Sequence, residues 1–78
     1  MSNLEKYNAA FCETLNVTED QLENLKYQDI PEWDSVGHMS LVAAIEEAFD
    51  IMMETDDIID LSSYQKGKEI LKKYDVEI

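Results

Sequence analysis

The sequence predicts an all-α fold, a small four-helix bundle with three longer helices and a short third one. Length is the first reason: 78 residues suffice for a single domain over 1–78 with one modest core. Composition is the second, since two glycines and one proline are too few for the many turns of a β architecture. The third is that apolar residues return at three- and four-residue steps, the period of an amphipathic helix.

Helix one is expected over residues 3 to 15, where Leu4, Tyr7, Phe11, Cys12 and Leu15 share a face and Ser2 with Glu5 has the form of a capping box. Residues 16 to 34 are less periodic, with one helical turn expected after Thr18 and Ile30 pushed toward extended geometry by Pro31. So long a connection needs pinning by apolar contacts, and Leu22, Leu25, Tyr27, Ile30 and Trp33 are the candidates. Helix two is expected from about Ser35 to Asp50 with Asp34 as its N-cap. Leu41, Val42, Ile45 and Phe49 fall on its inner side, while Val36, Ser40, Ala43, Glu47 and Asp50 trace an outer stripe. A short helix over roughly 56 to 61 follows, then a last one capped by Ser62 or Ser63 and running through Tyr64, Ile70, Leu71 and Tyr74. Lys68, Lys72 and Lys73 crowd its C-terminal half, where cations suit the helix dipole.

Charge excludes several function classes. Eighteen acids face six lysines and no arginine, for a net charge of −12. Ten of those acids and no lysine lie between Lys26 and Lys66, so that interval carries −10. Such a field repels nucleic-acid phosphates and anionic membranes and attracts proteins with basic patches. No segment has the length and hydropathy of a membrane span, and "MSNLEKYNAAF" lacks the pattern of a secretory leader, so a cytoplasmic protein is expected. Cys12 is the sole cysteine, which leaves no internal disulfide and makes a small buried apolar side chain the expectation there.

The chemistry-bearing residues gather in "PEWDSVGHMSLVAAIEEAF", residues 31 to 49. Ser35, Gly37 and His38 invite comparison with a hydrolase nucleophile, but Trp33 stands where the elbow needs glycine and no strand precedes the serine. No catalytic residue is expected. An EF-hand loop begun at Asp50 would put Thr55 at its glycine position and Leu61 at its bidentate acid, and His38 lacks a partner at ligand spacing, so no metal is expected either. His38 reads instead as a partly exposed first-turn residue. What remains is a serine displayed at a helix N-terminus, where a phosphate ester is electrostatically favoured and an ordinary cap is the simpler alternative.

Asp34-Ser35-Val36 followed by "HMSLVAAIEEAF" resembles the signature of the acyl carrier proteins, an Asp-Ser-aliphatic triplet opening a helix that ends in Glu-Glu-x-Phe. The similarity extends from the first helix through "DLSSYQKGKEILKKY", and it points to the free-standing type. The resemblance implies that a phosphopantetheinyl transferase attaches 4′-phosphopantetheine from coenzyme A to the Ser35 hydroxyl. The arm would carry acyl groups as thioesters to partner enzymes with basic docking patches, while catalysis stays with those partners and the carrier itself remains a monomer. By position, Asp34, Val36, Met39 and Ala43 match the family's contacts beside the arm, and Glu46, Glu47, Asp50, Asp56 and Asp57 match or neighbour its acidic docking residues. Ile45, Ile51, Met53 and Ile58 are the expected lining of an expandable acyl pocket.

Gly37 and His38 stand where the fatty-acid type commonly carries acidic and polar residues, and Met52 and Glu54 where it often has an acid and a proline. The pathway is therefore open between fatty-acid, polyketide, specialised-lipid and polysaccharide biosynthesis. An aminoacyl or peptidyl carrier, which shares fold and arm, is an alternative reading. A plain acidic adaptor that is never modified is another.

Overall fold

Local capping signals set most of the helix boundaries in the computed structural model, which describes residues 2–78. Helix α1 spans Asn3–Leu15; the Ser2 hydroxyl accepts the Glu5 N–H at 3.1 Å and the Glu5 carboxylate accepts the Ser2 N–H at 3.0 Å. Helix α2 spans Ser35–Phe49, helix α3 Thr55–Asp60 and helix α4 Tyr64–Lys72. Asn16 ends α1 at φ 57° and Asp50 ends α2 at φ 53°, so two short polar residues fill the left-handed C-cap role that glycine usually takes. Of the two serines before α4, Ser63 is the cap, accepting the Lys66 N–H at 3.0 Å. Among the described residues the regular structure is helical, the exception being one isolated bridge between Lys26 and Ser63.

The connection over 16–34 is held from inside, as expected. It contains a short 3-10 turn over Glu19–Gln21, and Leu22, Leu25 and Trp33 are buried while Tyr27 and Ile30 are half-buried against the core. Its backbone is tied to the α3–α4 junction: the Tyr27 N–H donates to the Ser62 carbonyl at 2.9 Å, and the Tyr64 N–H donates to the Leu25 carbonyl at 3.0 Å. These bonds satisfy groups that a loop crossing the core would otherwise leave unpaired.

Phe11 stands at the centre of the core, edge-on to Tyr7, Trp33 and Tyr64 at ring separations of 4.9, 5.5 and 5.3 Å. The buried Tyr7 hydroxyl donates to the Tyr64 carbonyl at 2.6 Å, and the Tyr64 hydroxyl donates to Asn8. Leu41, Val42 and Ile45 complete the inner face of α2, with Phe49 half-buried beside them. Two expectations for α1 are corrected. Leu4 is 40 % exposed although its spacing puts it on the same face as Phe11. Cys12 is half-buried rather than buried, since it sits at the edge of the stripe formed by Tyr7, Phe11 and Leu15. The last helix also stops short of Tyr74, which packs from the following turn. No helix of the described residues is long and apolar enough to cross a membrane.

Gly67 lets α4 approach α1. A β-carbon there would lie 2.0 Å from the Tyr7 hydroxyl and 2.8 Å from a Leu61 methyl. Gly67→Ala gains about 1 kcal/mol of helix propensity. Overpacking costs about 1–3 kcal/mol, and dislodging a buried, hydrogen-bonded hydroxyl about 1–3 kcal/mol more. The variant is therefore expected to unfold at a lower denaturant concentration than the parent, with an unchanged slope.

Candidate functional site

Ser35 is the first residue of α2, and its neighbour Asp34 does the capping: one Asp34 carboxylate oxygen accepts the Gly37 N–H at 2.8 Å. Relieved of that task, the serine side chain is exposed. The Tyr27 hydroxyl stands 3.5 Å from the Ser35 hydroxyl, too far for a firm hydrogen bond. The hydroxyl is thus uncommitted.

His38 is not a base for it. The Trp33 indole N–H donates to His38 Nδ1 at 2.9 Å, and His38 Nε2 lies 2.7 Å from the Ile58 carbonyl of α3. An indole N–H only donates and a carbonyl only accepts, so the ring is the neutral Nε2–H tautomer with both nitrogens engaged. Trp33 is fully buried, and its ring lies nearly parallel to the imidazole, at an interplanar angle of 14° with centroids 6.2 Å apart. Gly37 belongs to the same arrangement, because a β-carbon there would lie 1.9 Å from the Glu32 carbonyl oxygen. The loop carrying Trp33 therefore lies directly on the first turn of α2, held also by a bond from the Gln28 N–H to the Trp33 carbonyl at 3.1 Å. Gly37 and His38 are the packing partners of Glu32 and Trp33.

A stripe leads away from Ser35 along α2. Val36, Met39 and Ala43 are exposed, the first at 75 % and the second at 54 %, and they alternate with exposed Ser40, Glu47 and Asp50. Asp56 on α3 is exposed as well. Met52 and Ile59 add apolar surface at 86 % and 74 % exposure. Ile59 went unpredicted, and its run "DIID" in a short helix has no periodicity from which to tell its outer face.

Two of the expected docking acids have structural tasks. Glu46 is half-buried, and its carboxylate accepts the Met53 N–H at 2.8 Å, tying the loop after α2 to that helix. Asp57 is a correction: it is buried and closed to partners, since Lys73 donates to it at 2.7 Å and the Tyr74 hydroxyl at 2.5 Å. The Tyr74 oxygen in turn accepts the Glu54 N–H at 2.9 Å. A short helix turns one acid inward to meet the end of α4, and no local rule pairs residue 57 with residues 73 and 74.

Ile45 and Met53 are buried and Ile51 and Ile58 half-buried, all within the common core. A small cleft of about 240 Å³ lies outside that set, lined by Tyr27, His38, Ile59, Leu61 and Ser62. No group of three metal-ligating side chains occurs among the described residues. Burial pushes the Cys12 thiol above its ordinary range, and Glu19 and Glu13 push it the same way, so it stays protonated near neutral pH.

Comparisons with protein-family models, with curated proteins and with solved structures return no match for this chain. Functional argument therefore rests on the signature around Ser35 and on the geometry that displays it.

The Asp57 contacts carry a pH dependence. Hydrogen bonding from Lys73, and then from Tyr74, holds the carboxyl below the usual carboxylate range, with burial opposing. A folded value below the unfolded one gives stability that is present above about pH 4 and lost as pH falls toward the folded value. Asp57→Asn is expected to lower the denaturation midpoint at pH 7, with the gap to the parent narrowing below about pH 4. A gap that stays constant down to pH 2 would show that the contact is not ionic.

Proposed function

We propose that this protein is an acyl carrier, with Ser35 as the covalent attachment point for 4′-phosphopantetheine. The observation that carries the reading is the division of labour at the start of α2: Asp34 caps the helix, which leaves the exposed Ser35 hydroxyl free to be modified. His38 has both ring nitrogens engaged, so deprotonation of Ser35 falls to the modifying transferase. The attached arm supplies a thiol that holds an acyl group as a thioester. The chain's own residues present that arm and recruit the enzymes that load and unload it.

Recruitment follows from the surface around the serine. Val36, Met39 and Ala43 offer a small apolar strip, and Asp34, Glu47, Asp50 and Asp56 flank it with negative charge. Partners with basic patches are drawn to such a surface by long-range attraction, and weak individual pairs allow the release that serial delivery needs. Asp57 takes no part, and Glu46 contributes only what its bond to Met53 leaves free. An all-α fold with an exposed serine at its second helix is compatible with the acyl-carrier type of bundle and with a monomeric cytoplasmic role serving fatty-acid, polyketide or specialised lipid or polysaccharide enzymes.

Incubation with coenzyme A and a promiscuous phosphopantetheinyl transferase is expected to add one phosphopantetheine per chain by intact mass, and Ser35→Ala to abolish the addition. An unchanged mass for the parent chain would reject the carrier reading in favour of an unmodified acidic adaptor. Neutralising the outer acids together, Glu47→Gln with Asp50→Asn, is expected to slow this modification. At about 0.2–1 kcal/mol per exposed pair the loss is roughly 2- to 30-fold in kcat/KM at low salt, shrinking as salt is raised.

A further inference from the structure

His38 is joined to two elements at once, and the joint to Trp33 depends on its protonation. Its Nδ1 accepts the Trp33 indole N–H at 2.9 Å, and its Nε2–H reaches across to the Ile58 carbonyl of α3 at 2.7 Å. A second proton can enter the ring only at Nδ1. There it meets the indole N–H, so two donors face each other and the Trp33 bond is lost. The indole is fully enclosed by the core, where an unpaired N–H is costly, so the ring pair has to rearrange rather than tolerate the clash. Gly37 leaves the loop no slack, with the Glu32 carbonyl already seated on the first turn of α2.

We propose that His38 is a proton-released tie between α2 and the loop carrying Trp33, which in its neutral Nε2–H form positions the turn bearing Ser35. The tie borders the cleft lined by Tyr27, His38, Ile59, Leu61 and Ser62, and Tyr27 stands edge-on to the imidazole at 5.3 Å with its hydroxyl 3.5 Å from that of Ser35. Release of the Trp33 joint therefore acts on the turn beside the serine. The consequence for delivery from Ser35 rests on the carrier reading; the tie itself does not.

Other titratable groups surround the ring and have to be separated from it. Asp34 lies on the same helix as its cap, and Tyr27 faces the ring from the long connection. On α3, Asp57 and Asp60 flank the Ile58 segment, the first held by Lys73 at 2.7 Å and the second 3.8 Å from Lys66. His38→Gln is the discriminating variant, because a glutamine amide can accept from the indole and donate to the carbonyl but does not titrate in this range.

The test uses the unmodified 78-residue chain labelled with ¹⁵N and titrated from pH 8 to pH 5 by NMR. At pH 8 the His38 ring is expected to carry its proton on Nε2. On acidification the Trp33 indole resonance and the Ile58 and Ile59 amides are expected to move together with the His38 ring, through a single midpoint. In His38→Gln that shared transition is lost. A proton on Nδ1 at pH 8 overturns the proposal. So does a His38 titration that leaves Trp33 unmoved, or an identical transition in His38→Gln, which would assign it to a neighbouring acid. Should His38→Gln fail to fold, the tautomer at pH 8 and the shared or separate midpoints in the parent chain decide the matter. Because no modification is involved, failure here and failure of the mass experiment are independent results.

Discussion

Once Trp33 is buried, its indole N–H has to find an acceptor inside the protein, and His38 supplies it. Much of the site's geometry depends on that pairing. It fixes the imidazole tautomer, which aims Nε2–H at the Ile58 carbonyl and so ties α2 to α3. It draws the Glu32–Trp33 segment onto the first turn of α2, where only a glycine at position 37 leaves room. Trp33 also meets Phe11, the hub of the aromatic core, in a T-shaped contact. Truncating a buried aromatic costs about 3–5 kcal/mol. Against a total stability on the order of 5–15 kcal/mol, that is a large share to vest in one side chain of a loop.

The same pairing clarifies why the region around Ser35 can be ordered and yet leave the serine idle. Three neighbours already have partners: Asp34 holds the Gly37 N–H, His38 holds Trp33 and Ile58, and Trp33 is sealed in the core. A well-supported turn that spends its polar groups on itself offers its one free hydroxyl to outside chemistry. That is the arrangement a carrier function calls for, and it differs from a nucleophile that must be activated from within.

Electrostatics divides between surface and interior. A net charge of −12 on 78 residues works against compactness, and most of the acids meet this by staying in water. Asp57 does the opposite, drawing Lys73 and Tyr74 onto α3 and anchoring the end of the chain's last helix. Of the lysines at 66, 68, 72 and 73, Lys73 binds the buried Asp57 and Lys66 lies 3.8 Å from the exposed Asp60, so two of them reach α3 acids. The acids left outside along α2 and on α3 are fewer than the sequence offers, and they lie beside the apolar strip formed by Val36, Met39 and Ala43.

Rules that act within a turn or two of chain were enough to determine the helices from sequence. The Ser2–Glu5 box, Asp34 before α2, Ser63 before α4 and the apolar spacing of α1 and α2 each have a cause that is local, and each stands in the structure within a residue or two of the expected place. Ser35 at a helix start and the outer stripe of α2 were legible for the same reason. The inward turn of Asp57, the exposure of Leu4, the contact of Gly67 with Tyr7 and the joining of Trp33 and Ile58 through His38 were not. Those features arise where segments far apart in sequence meet, and hydrogen-bond partners and close approaches across such gaps are set by how the helices pack rather than by what lies beside them in the chain.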